Sequence, residues 1–97
     1  MSRYILAPAA QEDLVAIRDY YLAEAGYRVA RQMLAEFTKA FQTIARTPGI
    51  DLAGDRPVLF WPMRDYLIVY RATINPVEII TIVRGSRDVA VILKRRN

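Results

Sequence analysis

The sequence predicts an α+β domain in the order β-α-α-β-β-β, closed by a short C-terminal helix or tail. Three observations predict it. Apolar residues recur at spacings of three and four over residues 8–47, and then give way to β-branched runs after residue 57. Gly26 divides the helical stretch into two. The β-rich stretches after residue 57 follow one another with no helix between them, so they are expected to form an antiparallel meander.

The opening run "RYILA" (3–7) is apolar, holds β-formers and stops at Pro8, so it is expected to be a strand. Pro8 suits the first position of a helix, where its missing N–H would have no partner anyway. Ala7 at the capping position offers no side-chain acceptor, so that start is weakly capped. Ala10, Leu14, Ile17 and Tyr21 form one stripe of a helix over 8–25. Glu12 and Asp13 lie in its early turns, where the helix dipole favours acids. A second helix runs from about Tyr27 to Thr47, with Ala30, Met33, Phe37, Ala40, Phe41 and Ile44 as its stripe and "TPG" as its stop. Helices joined this tightly pack as an antiparallel hairpin.

Residues 48–57, "PGIDLAGDRP", have the composition of a loop. "VLFW" (58–61) is a strand that Pro62 confines to an edge or an end. "YLIVYRAT" (66–73) and "VEIITIVR" (77–84) are longer strands, and Asn75-Pro76 turns the chain between them. If that pair centres the hairpin, positions near 71 and 80 face each other. The tail "DVAVILKRRN" supports two readings. Its Val and Ile content favours a strand; Asp88 as a cap and the terminal basic run favour a short helix. The hairpin is expected to cover one face of the sheet and to leave the other to the tail, an open face of the kind partners dock on.

At 97 residues the chain is expected to be one domain, 1–97, with one modest core. It has no cysteine, which excludes disulfides and thiolate chemistry. It has no histidine, which excludes a hydrolytic triad and the common zinc sites. No phosphate-binding glycine loop, metal-ligand spacing or paired carboxylates are present, so no cofactor is expected. No run approaches about 18 uninterrupted apolar residues, and the N-terminus has no signal-peptide pattern, so a soluble cytoplasmic protein is expected. The net charge of +4 is unevenly placed. Residues 1–55 carry six Lys/Arg against seven Asp/Glu; residues 56–97 carry eight against three. An anionic partner for the second half, or a solvated basic surface, would account for this.

The candidates for function are cations at strand ends. "TIVRGSRD" (81–88) delivers an apolar strand into Arg84 and Arg87. Arg64 in the preceding turn is expected to join them at one end of the sheet, with Arg71 further off. Guanidiniums gathered there would need an anion between them. The competing reading pairs each with a nearby acid: Asp65, Glu78 or Asp88. Tyr66 and Tyr70 share a face, which suits either base stacking or core packing. Trp61 is a core residue or a partner anchor. Lys94, Arg95 and Arg96 add a basic terminus.

Taken in order, these stretches resemble the ParE branch of the RelE/ParE superfamily, the toxins of bacterial type II toxin–antitoxin pairs. "YILAPAAQEDLVAIRDYY" is similar to the family's opening strand and first helix, and "GYRVARQMLAEFTKAFQTIARTPG" to its second helix and stop. "DYLIVYRAT" and "VEIITIVRGSRD" are similar to its central strands. The family often has His-Gly-Arg-Arg-Asp where this chain has "RGSRD", so Arg84 stands in place of a common His and Ser86 of a common Arg.

The resemblance implies a RelE/ParE-like fold, a ParD-like or similar small antitoxin as partner in a hetero-oligomer, and no membrane. It implies one of two activities. RelE-like members cut messenger RNA on the ribosome, with an aromatic or His acid/base near the C-terminus. ParE-like members bind and poison DNA gyrase. Here "VAVILKRRN" holds neither Tyr nor His, which favours the gyrase poison. The alternatives are the endoribonuclease and a non-toxic antitoxin-binding module. Arg64, Arg71, Arg84, Arg87, Trp61, Tyr70, Lys94, Arg95 and Arg96 are the residues expected to meet antitoxin or target.

Overall fold

A computed structural model describes residues 3–46, 58–71 and 76–85. Its elements are β1 (Tyr4–Leu6), α1 (Pro8–Ala25), α2 (Tyr27–Arg46), β2 (Val58–Met63), β3 (Tyr66–Arg71) and β4 (Val77–Arg84). The predicted β-α-α-β-β-β order is the observed one, and the expected C-terminal helix or tail lies outside the described residues. The strands form one sheet in the order β1-β4-β3-β2. β2, β3 and β4 make the expected antiparallel meander, and β1 lies parallel to β4 on its far side. A parallel neighbour requires a crossover, and the α-hairpin supplies it.

The junction of β1 and α1 works without a capping side chain. Ala7 is extended, with φ −64° and ψ 157°, and its amide donates to the Ile79 carbonyl at 2.9 Å. That bond prolongs the β1–β4 ladder by one step. The Ala7 carbonyl then accepts the first helical amide, from Gln11. The Gln11 side chain reaches back to the Leu6 carbonyl at 3.0 Å. Gly26 ends α1 at φ 91°, with its amide on the Tyr21 carbonyl, and its own carbonyl starts α2 by accepting from Ala30. A Cβ at Gly26 would meet nothing within 4 Å. The left-handed backbone is therefore what selects glycine there.

All six residues of the α2 stripe are buried, from Ala30 to Ile44. In α1 only Ala10 and Ile17 are fully buried; Leu14 and Tyr21 are partly so and pack against the same core. The hairpin lays these residues on Tyr66, Ile68, Val77, Ile79 and Ile82 of the sheet. Phe37, Phe41, Ile44, Ile68 and Ile79 are its largest fully enclosed side chains.

Two expectations change. β2 continues through Pro62 to Met63, because β2 is an edge strand and the missing proline N–H costs no ladder bond on the open side. In the β3–β4 hairpin Arg71 faces Glu78, not residue 80. The shift comes with a bulge: Val69 pairs with Thr81 and Tyr70 with Ile79, which leaves Ile80 without a partner on β3. Burial along β4 changes phase with it, from Val77 and Ile79 to Ile82. On the sheet face away from the hairpin, Leu67 and Val69 of β3 are buried; the tail expected to lie on that face is outside the described residues. Their cross-strand neighbours are Phe60, Pro62, Thr81 and Val83.

Candidate functional site

The cationic end of the sheet is built by two local devices. The first is the two-residue β2–β3 turn, Arg64-Asp65, between the paired residues Met63 and Tyr66. Among the described residues Arg64 is the one non-glycine with positive φ, at 55°. Left-handed backbone is unfavourable for a residue with a Cβ. A two-pronged ion pair offsets it: the Arg64 Nε and Nη2 atoms donate to the two carboxylate oxygens of Glu36 on α2, the second at 2.8 Å. This hydrogen-bonded pairing holds the Glu36 carboxyl below its ordinary pKa and raises that of Arg64.

The second device is the end of β4. Arg84 pairs across the sheet with Tyr66. Its guanidinium lies 5.2 Å from the centre of the Tyr20 ring on α1, a cation–π contact. Among the described residues no carboxylate pairs with it. Tyr20 first, and then Tyr66, raise its pKa above the ordinary arginine value. Beneath it the phenols form a stack. Tyr20 and Tyr21 meet edge to face at 5.0 Å, the Tyr66 hydroxyl donates to that of Tyr21 at 3.4 Å, and Phe37 closes on Tyr66 at 5.4 Å. Burial, and then the bond to Tyr21, push the Tyr66 phenol up to about 12.

β4 is set in place by Asp13. β1 stops pairing at Ile79, so the bulged half of β4 has no strand on that side. The Asp13 carboxylate fills the gap and accepts both the Thr81 hydroxyl and the Ile82 amide, the latter at 2.8 Å. Asp13 and Tyr20 are seven residues apart on α1, two helical turns, and hold β4 at successive points.

Arg64, Arg84, Asp65, Tyr66, Pro62 and Gly85 thus meet around a groove of about 570 Å³. The expected gathering of Arg64 and Arg84 is present. Arg71 stands at the other end of β3, about 17 Å away at the usual strand rise, ion-paired with Glu78 at 3.4 Å. Trp61 and Tyr70 are half-buried on the hairpin side and pack against the core. Tyr66 is buried too, so Tyr66 and Tyr70 do not make a free stacking platform. Arg87, Asp88, Lys94, Arg95 and Arg96 lie outside the described residues.

Sequence reasoning missed Glu36, Asp13 and the tyrosines of α1 as parts of this end. Tyr20 and Tyr21 stand side by side in the sequence, the one available signal that α1 presents aromatic rings there. Elsewhere, a second groove of about 210 Å³ crosses the outer surface of the hairpin, between Arg18, Leu22, Tyr27 and Leu34. Among the described residues no group of acids could hold a metal ion, and no helix is long and apolar enough to cross a membrane.

A mixed sheet flanked by an α-hairpin, with arginines at its turn end, defines a small domain of the RelE/ParE-like α+β class. Residues 4–89 match the family described as "ParE toxin of type II toxin-antitoxin system, parDE", and the chain belongs to that family. Among solved structures, a chain of the "Chromosomal ParDE TA system from P. aeruginosa" is similar in fold, with a TM-score of 0.71 at 18% identity. The likeness covers 89% of this chain and 98% of that one. A search of curated proteins finds no match.

Proposed function

We propose that this protein acts as a ParE-type toxin by binding DNA gyrase, and that a cognate antitoxin neutralises it. Family membership over residues 4–89 is the observation that carries this reading. The similar fold belongs to a protein titled as part of a ParDE system, which supports an antitoxin partner here as well. Arg84 and Arg64, at the end of the sheet, are assigned to the contact surface for partner and target; Arg87, Lys94, Arg95 and Arg96, outside the described residues, are added to it from their charge in the sequence alone. Binding requires a complementary surface and no group that moves protons.

One observation favours a second reading, messenger RNA cleavage. The structure brings three phenols to Arg84 that the C-terminal sequence lacks. The environment of one of them, Tyr66, weighs against it. Pushed up to about 12, the Tyr66 phenol is poorly matched to the proton transfer at neutral pH that contributes about 10²–10⁴-fold to catalysis.

The test is induction of the toxin without its antitoxin. Gyrase poisoning predicts cell elongation, a DNA-damage response and inhibited supercoiling by purified gyrase, with ribosome-bound messages intact. Codon-specific cuts in those messages, with supercoiling unaffected, would establish the endoribonuclease instead. Co-expression with the product of the adjacent gene tests the antitoxin: a stable complex and restored growth are expected, and a soluble, monomeric toxin that ignores that product would refute it.

A further inference from the structure

We infer that the groove at the turn end of the sheet is a carboxylate receptor, in which Arg84 takes an Asp or Glu side chain of an acidic partner peptide. The inference rests on the reading that a neutralising protein partner binds this chain, and it names the chemistry that partner presents.

The two arginines of the groove are not equivalent. Arg64 has both prongs of its guanidinium on Glu36 and holds the turn to α2. Arg84 has no carboxylate among the described residues; its guanidinium carbon lies 5.2 Å from the centre of the Tyr20 ring, and Tyr20 also takes a hydrogen bond from it. A guanidinium carries five N–H donors, so a hydrogen bond to one phenol leaves donors for a further acceptor. A guanidinium with donors to spare and no acid of its own among the described residues matches a carboxylate, which accepts charge-assisted N–H bonds.

The rest of the groove selects between anions. Asp65 lies on its wall, and a phosphate dianion would meet that charge with a single unneutralised arginine to balance it. A monoanionic carboxylate needs only the one fork. Pro62, exposed on the edge strand, adds an apolar rest for the side chain next to the acid. The volume, about 570 Å³, falls within the range of small-ligand pockets, so it has room for more than one peptide side chain. An acidic-apolar peptide fits this chemistry, whereas a nucleic-acid backbone, which needs several cations and no apolar contact, does not.

The test uses the full chain and a capped peptide of alternating Glu and Leu, beside its Gln-for-Glu counterpart. Titration calorimetry gives the affinities, and the Nε–Hε signal of Arg84 reports contact. The Glu peptide is expected to shift that signal and to bind at least about tenfold more tightly than the Gln peptide, in line with a charge-assisted pair. Arg84→Ala is expected to remove that preference, Arg84→Lys to restore it in part, and Arg46→Ala, at the far end of α2, to leave it unchanged. Inorganic phosphate and a short DNA duplex at matched ionic strength are expected not to displace the peptide.

A peptide preference that survives Arg84→Ala would overturn the proposal. Displacement by phosphate or duplex would do the same and would make this a phosphate site. If Arg84→Ala does not fold, the wild-type NMR titration decides alone: a Glu peptide that leaves the Arg84 signal unmoved overturns the proposal. The adjacent gene product separates the two readings. If it binds the wild type and Arg84→Ala equally well, the receptor fails and the antitoxin reading stands; if it does not bind at all, the antitoxin reading fails and the peptide titration still reports on the receptor.

Discussion

The carboxylate of Asp13 accepts the backbone amide of Ile82 at 2.8 Å, although the two residues lie 69 apart in the sequence. A side chain on a helix here takes the part of a missing strand. With Asp13 removed, the Ile82 amide and the Thr81 hydroxyl lose their common acceptor. Asp13→Ala is therefore expected to lower the stability of the fold by about 1–3 kcal/mol. Asp13→Asn keeps an acceptor and is expected to cost less. Urea unfolding measures both, and an unchanged midpoint for the alanine variant would show that water replaces the carboxylate at no cost.

The Glu36–Arg64 pair predicts effects of both pH and salt. The folded-state pKa of Glu36 lies below its ordinary value, so its contribution is present above the ordinary carboxylate range and is lost as pH falls through the folded pKa. The stability gap between wild type and Glu36→Gln should shrink on acidification. Arg64→Gly trades the ion pair for relief of a left-handed backbone. Salt screens the pair and leaves the backbone term untouched. Thermal melts should show Arg64→Gly gaining on the wild type as salt is raised; a gap independent of salt would show that the pair contributes nothing.

The Tyr66 phenol predicts the alkaline limit. Its folded pKa is about 12 against an ordinary value of 10.0. Stability from this group is complete below pH 10 and declines as pH rises towards 12. Ultraviolet titration should show Tyr66 ionising late, together with Tyr70, whose pKa burial also raises. In Tyr66→Phe the late step should lose amplitude and keep the part due to Tyr70. A variant titration curve that superimposes on the wild type would contradict the assignment.

In the core, Phe37 is fully enclosed between the hairpin and Tyr66. Phe37→Ala is expected to cost about 3–5 kcal/mol, and Ile79→Val about 0.5–1.5. Against the 5–15 kcal/mol typical of a domain, the first change brings the chain close to unfolding, and the second leaves it folded. Calorimetric melts would separate them, and equal costs would mean that Phe37 does not organise the core.

Much of this fold was legible in the sequence, and the reasons are local. Gly26 and Pro8 bound the helices because their backbone preferences act within one turn. The α2 stripe gave all of its buried positions because an amphipathic helix against a sheet has only one way to hide them. β4 was placed at its observed bounds by β-branched residues and the turn before it. What escaped reading was long-range. Nothing in "VEIITIV" marks Ile80 as the bulged residue, since the residues around it all suit a strand. Nothing in the neighbourhood of Glu36 announces Arg64, which comes 28 residues later across a turn. Asp13 looked like an acid serving a helix dipole, because its hydrogen-bond donors belong to a strand that is distant in sequence. Arg84 was found as a strand-end cation, yet its aromatic bed on α1 was not, because cation–π partners carry no spacing rule across elements.

The bulge at Ile80 has a consequence for how this chain tolerates length changes. Ile79 and Arg84 differ by an odd number of positions, so parity alone would send them to opposite sides of the sheet. Both nevertheless face the hairpin, because one residue between them is left out of the pairing. The strand thus contains one letter of slack. Loss of Ile80 itself would straighten β4 and keep Arg84 above Tyr20. Loss of Val83 would turn the arginine over and empty the groove while leaving every core residue in place.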